Sequence, residues 1–285
     1  AVKGKRVLVV EDNSINQQVA REILENEGLL VDTADNGRMA LDLLFKQGPE
    51  NYSAILMDVQ MPEMDGISAT RDIRADSSFN DVPIIALTAH ALAEDRQCCL
   101  DVGMNDHLTK PVIANDLIAA MNTWIAGTAP RPAKPSPLPV VANASGTVSD
   151  VSDTPSNSAG VGEDMLTLPV LNLEKASSIS RLSEDFLEEL LCDFKDRYEG
   201  AAADIRNHLD KRERSEAQMI AHTVKGISGS LGAEQVFAAA IALDAGLKSD
   251  AADEVINPLY EEFAGSLATL LVYIEQNVVR PEAKA

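Results

Sequence analysis

The sequence predicts two parts of different class: an α/β unit with a parallel sheet over residues 1–126, and an all-α helix bundle over residues 169–285. In the first part short β-branched apolar runs alternate with helical stretches, the pattern of a parallel sheet covered by helices on both faces. In the last part apolar residues recur only at threes and fours, the period of helices. Residues 127–168 separate the two. They hold six of the 13 prolines, many Ser, Ala, Gly and Thr, and no aromatic residue. This composition reads as a linker, first semi-rigid and then flexible, spanning about 35 Å as a coil.

The first part runs in the order RVLVV, SINQQVAREILENEG, LLVDTA, GRMALDLLFKQG, SAILMD, SATRDIRA, PIIALTA, AEDRQCCLDVG, DHLTK and NDLIAAMNTWI. The strand segments are nearly continuous in apolar residues, as expected when both faces of the sheet are buried. Beyond the linker, the positions from Phe186 through Leu190, Phe194, Ala201 and Ile205 to Leu209 keep helical spacing. The stretches 214–231, 233–248 and 251–277 do the same, so a helix bundle is expected.

Composition narrows the function. Twenty-four Lys and Arg stand against 45 Asp and Glu, a formal charge of -21, which repels nucleic-acid backbones and anionic lipid. Aromatics are only 4%, too few for a platform on which bases stack. The three cysteines, two of them adjacent at Cys98 and Cys99, outline no disulfide framework and no zinc spacing. No stretch approaches the roughly 18 apolar residues of a membrane span. A cytoplasmic location without direct membrane contact is expected, in a parent protein that could be anchored in an inner membrane.

Ligands of open parallel sheets bind beyond the carboxyl ends of the strands. There the first strand ends in Glu11 and Asp12, the third in Asp58, the fourth in Thr88 and the fifth in Lys110. Taken singly, an acid at a strand end caps the helix that follows. Converging carboxylates instead call for a cation, and all-oxygen ligands favour Mg²⁺. Asp58 could also attack a phosphoryl group and become an aspartyl phosphate, with Mg²⁺, Lys110 and Thr88 stabilising the transferring oxygens. A haloacid-dehalogenase-like phosphatase would want a second Asp two residues after the first, where Gln60 stands.

VLVVEDN, ILMDVQMPEMDG, PIIALTA and HLTKP, in this order and spacing, resemble the receiver domain of two-component response regulators. The resemblance implies a flavodoxin-like (βα)5 fold and Asp58 as phosphoacceptor. It implies Mg²⁺ held by Asp12, Asp58 and the main-chain carbonyl of Gln60, with Glu11 acting through metal-bound water. Lys110 would contact the phosphate, Thr88 would be the switching hydroxyl, and Lys110-Pro111 the family's cis peptide. His107 departs from the Tyr or Phe common in receivers that drive an output, which favours a receiver that passes its phosphoryl group onward.

Of the four histidines, His90 reads as a rim residue and His208 as a dipole contact near a helix end. His222 lies opposite the stripe of Ala217, Ile220, Val224, Ile227 and Leu231, and shares its outward sector with Gly226 and Gly229. Two glycines inside one helix cost about 1 kcal/mol each relative to Ala, so they point to a partner backbone coming close around the imidazole. A neutral imidazole is a competent nucleophile, and Lys225 could favour an incoming phosphoryl group. AHTVKGISGSLGA resembles the signature of histidine phosphotransfer (HPt) domains, and LNLEKA their N-terminal part.

The expectation is a receiver domain (1–126), a linker (127–168) and an HPt domain (169–285) from a hybrid sensor histidine kinase, without a kinase core of its own. Asp58 would accept a phosphoryl group from an upstream histidine kinase core and pass it to His222, which would donate it to a downstream response regulator receiver. His107, Lys225, Gly226 and Gly229 are the expected partner contacts. A phosphorylation-gated adaptor that makes no use of His222 is the alternative.

Overall fold

The computed structural model describes residues 2–88, 93–126, 169–249 and 251–278. The expected linker, residues 127–168, and His90 lie outside them. Five parallel strands, β1 (Arg6–Val10), β2 (Leu30–Ala34), β3 (Ala54–Asp58), β4 (Ile84–Thr88) and β5 (Asp106–Thr109), form one sheet in the order β2-β1-β3-β4-β5. Every pairing is parallel; Val7 sits opposite Val31 on one side and Ala54 on the other. The order reverses between β1 and β3, so their carboxyl ends open the crevice where ligands bind in such sheets.

β3 and β4 are buried along their whole length, which explains their unbroken apolar sequence. Successive residues serve opposite faces. Val7, Val9, Leu56 and Ile85 join one core, and Leu8, Val10, Ile55 and Ile84 the other. Helices α1 (Ser14–Asn26), α2 (Gly37–Gln47), α3 (Gly66–Ala75), α4 (Ala93–Asp101) and α5 (Ala114–Ile125) follow the strands in alternation. The carboxyl ends of β1 and β3 therefore lie close to helix starts. Asn13 caps α1 by accepting from the amides of Ile15 and Asn16, and Asp65 caps α3 by accepting from that of Ser68.

The rest of the described chain is helical: α6 (Leu173–Ser180), α7 (Glu184–Tyr198), α8 (Ala201–Asp210), α9 (Arg214–Ser230), α10 (Glu234–Lys248) and α11 (Asp253–Asn277). The periodic run from Phe186 to Leu209 divides into α7 and α8 at Glu199 and Gly200, although the apolar spacing carries straight across. The bundle core contains Leu190, Phe194, Ile205, Val224, Leu243 and Phe263, all fully buried. It is continuous with the α1 side of the sheet, because α1 packs on α7 and α9, and Ile15 is fully buried. No described helix is long and apolar enough to cross a membrane.

Candidate functional site

Glu11 follows β1, Asp58 closes β3, Thr88 closes β4, and Lys110 follows β5. Parallel strands in register thus deliver four functional side chains to one edge of the sheet. The Lys110 ammonium lies 2.6 Å from Glu11 Oε2 and 2.7 Å from Asp58 Oδ2. Its contact with Asp58 is a well-formed hydrogen bond, whereas Glu11 Oε2 receives no well-aligned donor from any described residue. Glu11 Oε1 accepts from Asn16 Nδ2 at 3.1 Å, and Asp58 Oδ1 accepts from the Gln60 amide at 3.1 Å. Thr88 is buried, and its carbonyl accepts from the Lys110 amide. The Lys110-Pro111 peptide is cis. Gly66, the first residue of α3, leaves the loop just enough room: a Cβ there would lie 2.0 Å from the Asp58 carbonyl oxygen.

Glu11, Asp12 and Asp58 each offer an oxygen within 4.8 Å of the others, and Glu11 and Asp58 are buried. Burial and the neighbouring Glu11 charge push the Asp58 carboxyl up to about 7 against the pull of Lys110. Asp12, nearer solvent, is pushed up by its partial burial and by Glu11. Burial alone would lower Lys110, but the Glu11 and Asp58 charges outweigh it and hold its pKa above the ordinary value. One ammonium therefore leaves this acidic cluster under-neutralised, and its all-oxygen donor set suits a hard divalent cation. The residues present fit Mg²⁺.

His222 stands midway along α9, opposite this cluster. Both line one cavity of about 40 Å³, formed by Glu11, Asp12, Asp58 and Lys110 on the sheet side and by His222 and Gly226 on the bundle side. A wider groove of about 550 Å³ opens beside it, between the Val59–Pro62 stretch and α9 residues Met219 and Thr223. The two outward glycines face the sheet part directly. A Cβ on Gly226 would lie 3.4 Å from Asn16 of α1, and one on Gly229 would meet Phe237 at 3.0 Å and Pro111 at 3.1 Å.

Two expected partner contacts are placed differently. Lys225 lines the cavity, yet it is buried and its ammonium lies 2.6 Å from Asp244 Oδ2, so its charge is already engaged. The burial follows from a wider inward face of α9 than the stripe alone indicates, for Ala221 and Ser228 are fully buried too. His107 lies on β5 and does not line the cavity. His208 pairs with Glu213 at 2.8 Å. Asn13, the last residue of VLVVEDN, lines the cavity; Asn16, Tyr198 and Asp244, bonded to Glu11, Asn13 and Lys225, also belong to the site, and the motifs do not reveal these three. A signal existed for Asp244, the one acid on the buried face of an otherwise apolar α10.

Residues 7–122 match the family model of the response regulator receiver domain, and residues 189–276 that of the Hpt domain. Over 130 residues the chain is 41% identical to hybrid signal transduction histidine kinase B of Dictyostelium discoideum, covering 42% of this chain and 6% of that protein. It is 38% identical over 125 residues to sensor histidine kinase GacS of Pseudomonas protegens, covering 43% of this chain and 13% of that one. The chain thus spans only a small fraction of the length of these curated relatives. Among solved structures, the receiver domain of sensor histidine kinase PA1611 from Pseudomonas aeruginosa, with a magnesium ion in its active site cleft, is 44% identical. That match covers 43% of this chain and 98% of the other, with a TM-score of 0.40. The complex of the Saccharomyces cerevisiae phosphotransfer protein Ypd1 with the receiver domain of Ssk1 matches at 33% identity over 45% of this chain and 94% of the other, with a TM-score of 0.42. The chain thus carries a response regulator receiver domain over residues 7–122, followed by an Hpt domain over residues 189–276.

Proposed function

We propose that the chain is a two-site phosphorelay segment of a hybrid sensor histidine kinase. Asp58 takes a phosphoryl group from the phosphohistidine of an upstream kinase core and passes it to His222. His222 then donates it to the aspartate of a downstream response regulator receiver. The observation that carries this reading is the shared cavity, where the one strand-end acid held by both Lys110 and the Gln60 amide faces the imidazole of α9.

In the internal step an imidazole nitrogen lone pair attacks phosphorus, the bond from phosphorus to the Asp58 oxygen breaks, and the carboxylate leaves with the electron pair. Lys110 holds the departing carboxylate from 2.7 Å, and with the Thr88 hydroxyl it is the candidate contact for the phosphoryl oxygens. Glu11, Asp12, Asp58 and the Gln60 main chain would hold Mg²⁺, which supplies positive charge at the transferring oxygens. Gly226 and Gly229 keep α9 bare enough for Asn16 and Pro111 to approach. The segment works in the cytoplasm, whether or not its parent protein is anchored in a membrane.

The test incubates the chain with a phosphorylated kinase core and Mg²⁺, comparing wild type with Asp58→Asn and His222→Gln. Wild type is expected to carry acid-stable label on Asp58 and acid-labile label on His222. Asp58→Asn should carry neither, and His222→Gln only the first, with no transfer to an added receiver. Label reaching His222 in Asp58→Asn at the wild-type rate would overturn the order of transfer. Unimpaired signalling by His222→Gln would favour the adaptor reading.

A further inference from the structure

The closed cavity and the wider groove beside it have four lining residues in common: Asp12, Gln60, His222 and Thr223. Three of them already have a part in the relay reading, two as candidate metal holders and one as the phosphoryl carrier. Thr223 has none. The helical period puts it in the row Met219, Thr223, Gly226 and Ser230, and each of the other three meets the sheet part. Met219 lines the groove against the Val59–Pro62 stretch, a Cβ on Gly226 would lie 3.4 Å from Asn16, and Ser230 Oγ lies 3.4 Å from Asn16 Oδ1. Thr223 therefore stands at the seam between the two parts, one residue from the imidazole.

A hydroxyl inside a helix can satisfy itself by donating to the carbonyl one turn back. Ser228 and Ser230 of α9 do so at 2.7 and 3.2 Å, and Thr123 of α5 and Thr269 of α11 at 2.8 Å each. The Thr223 hydroxyl makes no hydrogen bond to any described residue, although the side chain is half-buried. The neighbouring donors of α9 are turned the other way. Lys225 Nζ and Gln218 Nε2 both donate to Asp244, at 2.6 Å each.

We propose that Thr223 is a catalytic residue of the transfer between Asp58 and His222, its hydroxyl donating a hydrogen bond to a phosphoryl oxygen on the bundle side of the cavity. This rests on reading His222 as the phosphoryl carrier. In the transfer the imidazole lone pair forms the bond to phosphorus, the bond from phosphorus to the Asp58 oxygen breaks, and its electron pair leaves on the carboxylate. The three outer oxygens stay on phosphorus and share its negative charge throughout. Beside Asp58 the candidate donors to them are Lys110 and the Thr88 hydroxyl. As phosphorus moves toward α9 those donors fall behind, and a hydroxyl fixed on the receiving helix meets the oxygens there. Thr223 keeps its proton and needs no base. A neutral donor also suits a group that must leave again, since it binds the phosphoryl oxygens less tightly than a second ammonium would.

The test pulses the chain with radiolabelled acetyl phosphate and Mg²⁺, then follows acid-stable label on Asp58 and acid-labile label on His222 separately. Thr223→Val keeps the shape of the side chain and removes the donor, whereas Thr223→Ser keeps the donor. Label should pass from Asp58 to His222 at least about tenfold more slowly in Thr223→Val than in wild type, and at close to the wild-type rate in Thr223→Ser. Distance measurements between labels on the two domains read docking independently, and neither variant should change the docked fraction. A folded Thr223→Val protein that transfers at the wild-type rate would overturn the proposal. So would a loss of docking as large as the loss of rate, which would make Thr223 a packing residue, or a Thr223→Ser protein as slow as Thr223→Val. Failure of the relay reading looks different: wild type would load Asp58 and never label His222.

Discussion

The side-chain amide of Asn13 donates a 2.6 Å hydrogen bond to the phenol oxygen of Tyr198, joining the start of α1 to the end of α7. Its direction is fixed locally. Asn13 Oδ1 is used to cap α1, accepting from the amides of Ile15 at 3.0 Å and Asn16 at 3.2 Å, so the NH2 group must point away from its own helix. An aspartate could cap α1 as well but would have no proton for Tyr198. The same residue thus orders the edge of the acidic cluster and ties it to the bundle that carries His222.

Tyr198→Phe removes the acceptor and leaves the α1 cap intact. A lost hydrogen bond of this kind is worth about 1 kcal/mol, so the ratio of docked to undocked receiver should fall roughly fivefold. Distance measurements between labels on the two domains should show the shift. Single-turnover transfer from Asp58 to His222 should slow by a similar factor, with Asp58 loading from a small donor unchanged.

Gly226→Leu tests the close approach itself. The open position 3.4 Å from Asn16 admits a Cβ but not an isobutyl group, which would run into α1. The Hpt fold should survive, since replacing a helical Gly relieves a penalty of up to about 1 kcal/mol. Transfer between Asp58 and His222 should fall more than tenfold while the melting temperature of the bundle stays level or rises.

The two glycines show how far the sequence carries. Their outward sector was legible from the helical period, because a phase of about 100° per residue holds whatever the fold around it. The strand-end acids were legible for a similar reason: parallel strands in register bring their ends to one edge. Asp244 was legible only as an acid on an apolar helix face; what it meets depends on how α10 crosses α9, which no local pattern encodes. The sequence offers Lys225 as a partner contact because period alone cannot tell a solvated lysine from one drawn inward by a buried carboxylate. The break between α7 and α8 was hidden for the opposite reason, as apolar spacing runs unbroken across Glu199 and Gly200.

Gly66→Ala should damage the site without changing any polar side chain. The added Cβ would lie 2.0 Å from the Asp58 carbonyl oxygen and 2.9 Å from the Met57 side chain, and the first of these is backbone that cannot turn aside. Either the end of β3 or the start of α3 must move. Overpacking of this kind costs typically about 1 to 3 kcal/mol, which urea denaturation would measure. Loading of Asp58 should fall in the same variant, because the carboxylate and the Gln60 amide that orients it ride on the displaced loop.

Metal removal and pH act through the same crowded acids. The Asp58 carboxyl of the metal-free chain is raised to about 7 by burial and by Glu11, above its unfolded value near 4. A raised acid disfavours folding once it must ionise. The penalty is absent below about pH 4, grows as pH rises toward 7 and is complete above it. In chelator the receiver should therefore lose stability across that interval, by an amount on the order of a few kcal/mol. Asp58→Asn should be more stable than wild type in chelator at pH 8 and should lack this part of the pH slope. Saturating Mg²⁺ binds the folded form only, so it should raise the wild-type melting temperature, with about 2.7 kcal/mol expected at 100 times the dissociation constant. The variant, short of one carboxylate ligand, should gain much less. Calorimetry at pH 5 and pH 8, with chelator and with Mg²⁺, separates the two effects, and equal slopes for wild type and variant in chelator would contradict the assignment of that penalty to Asp58.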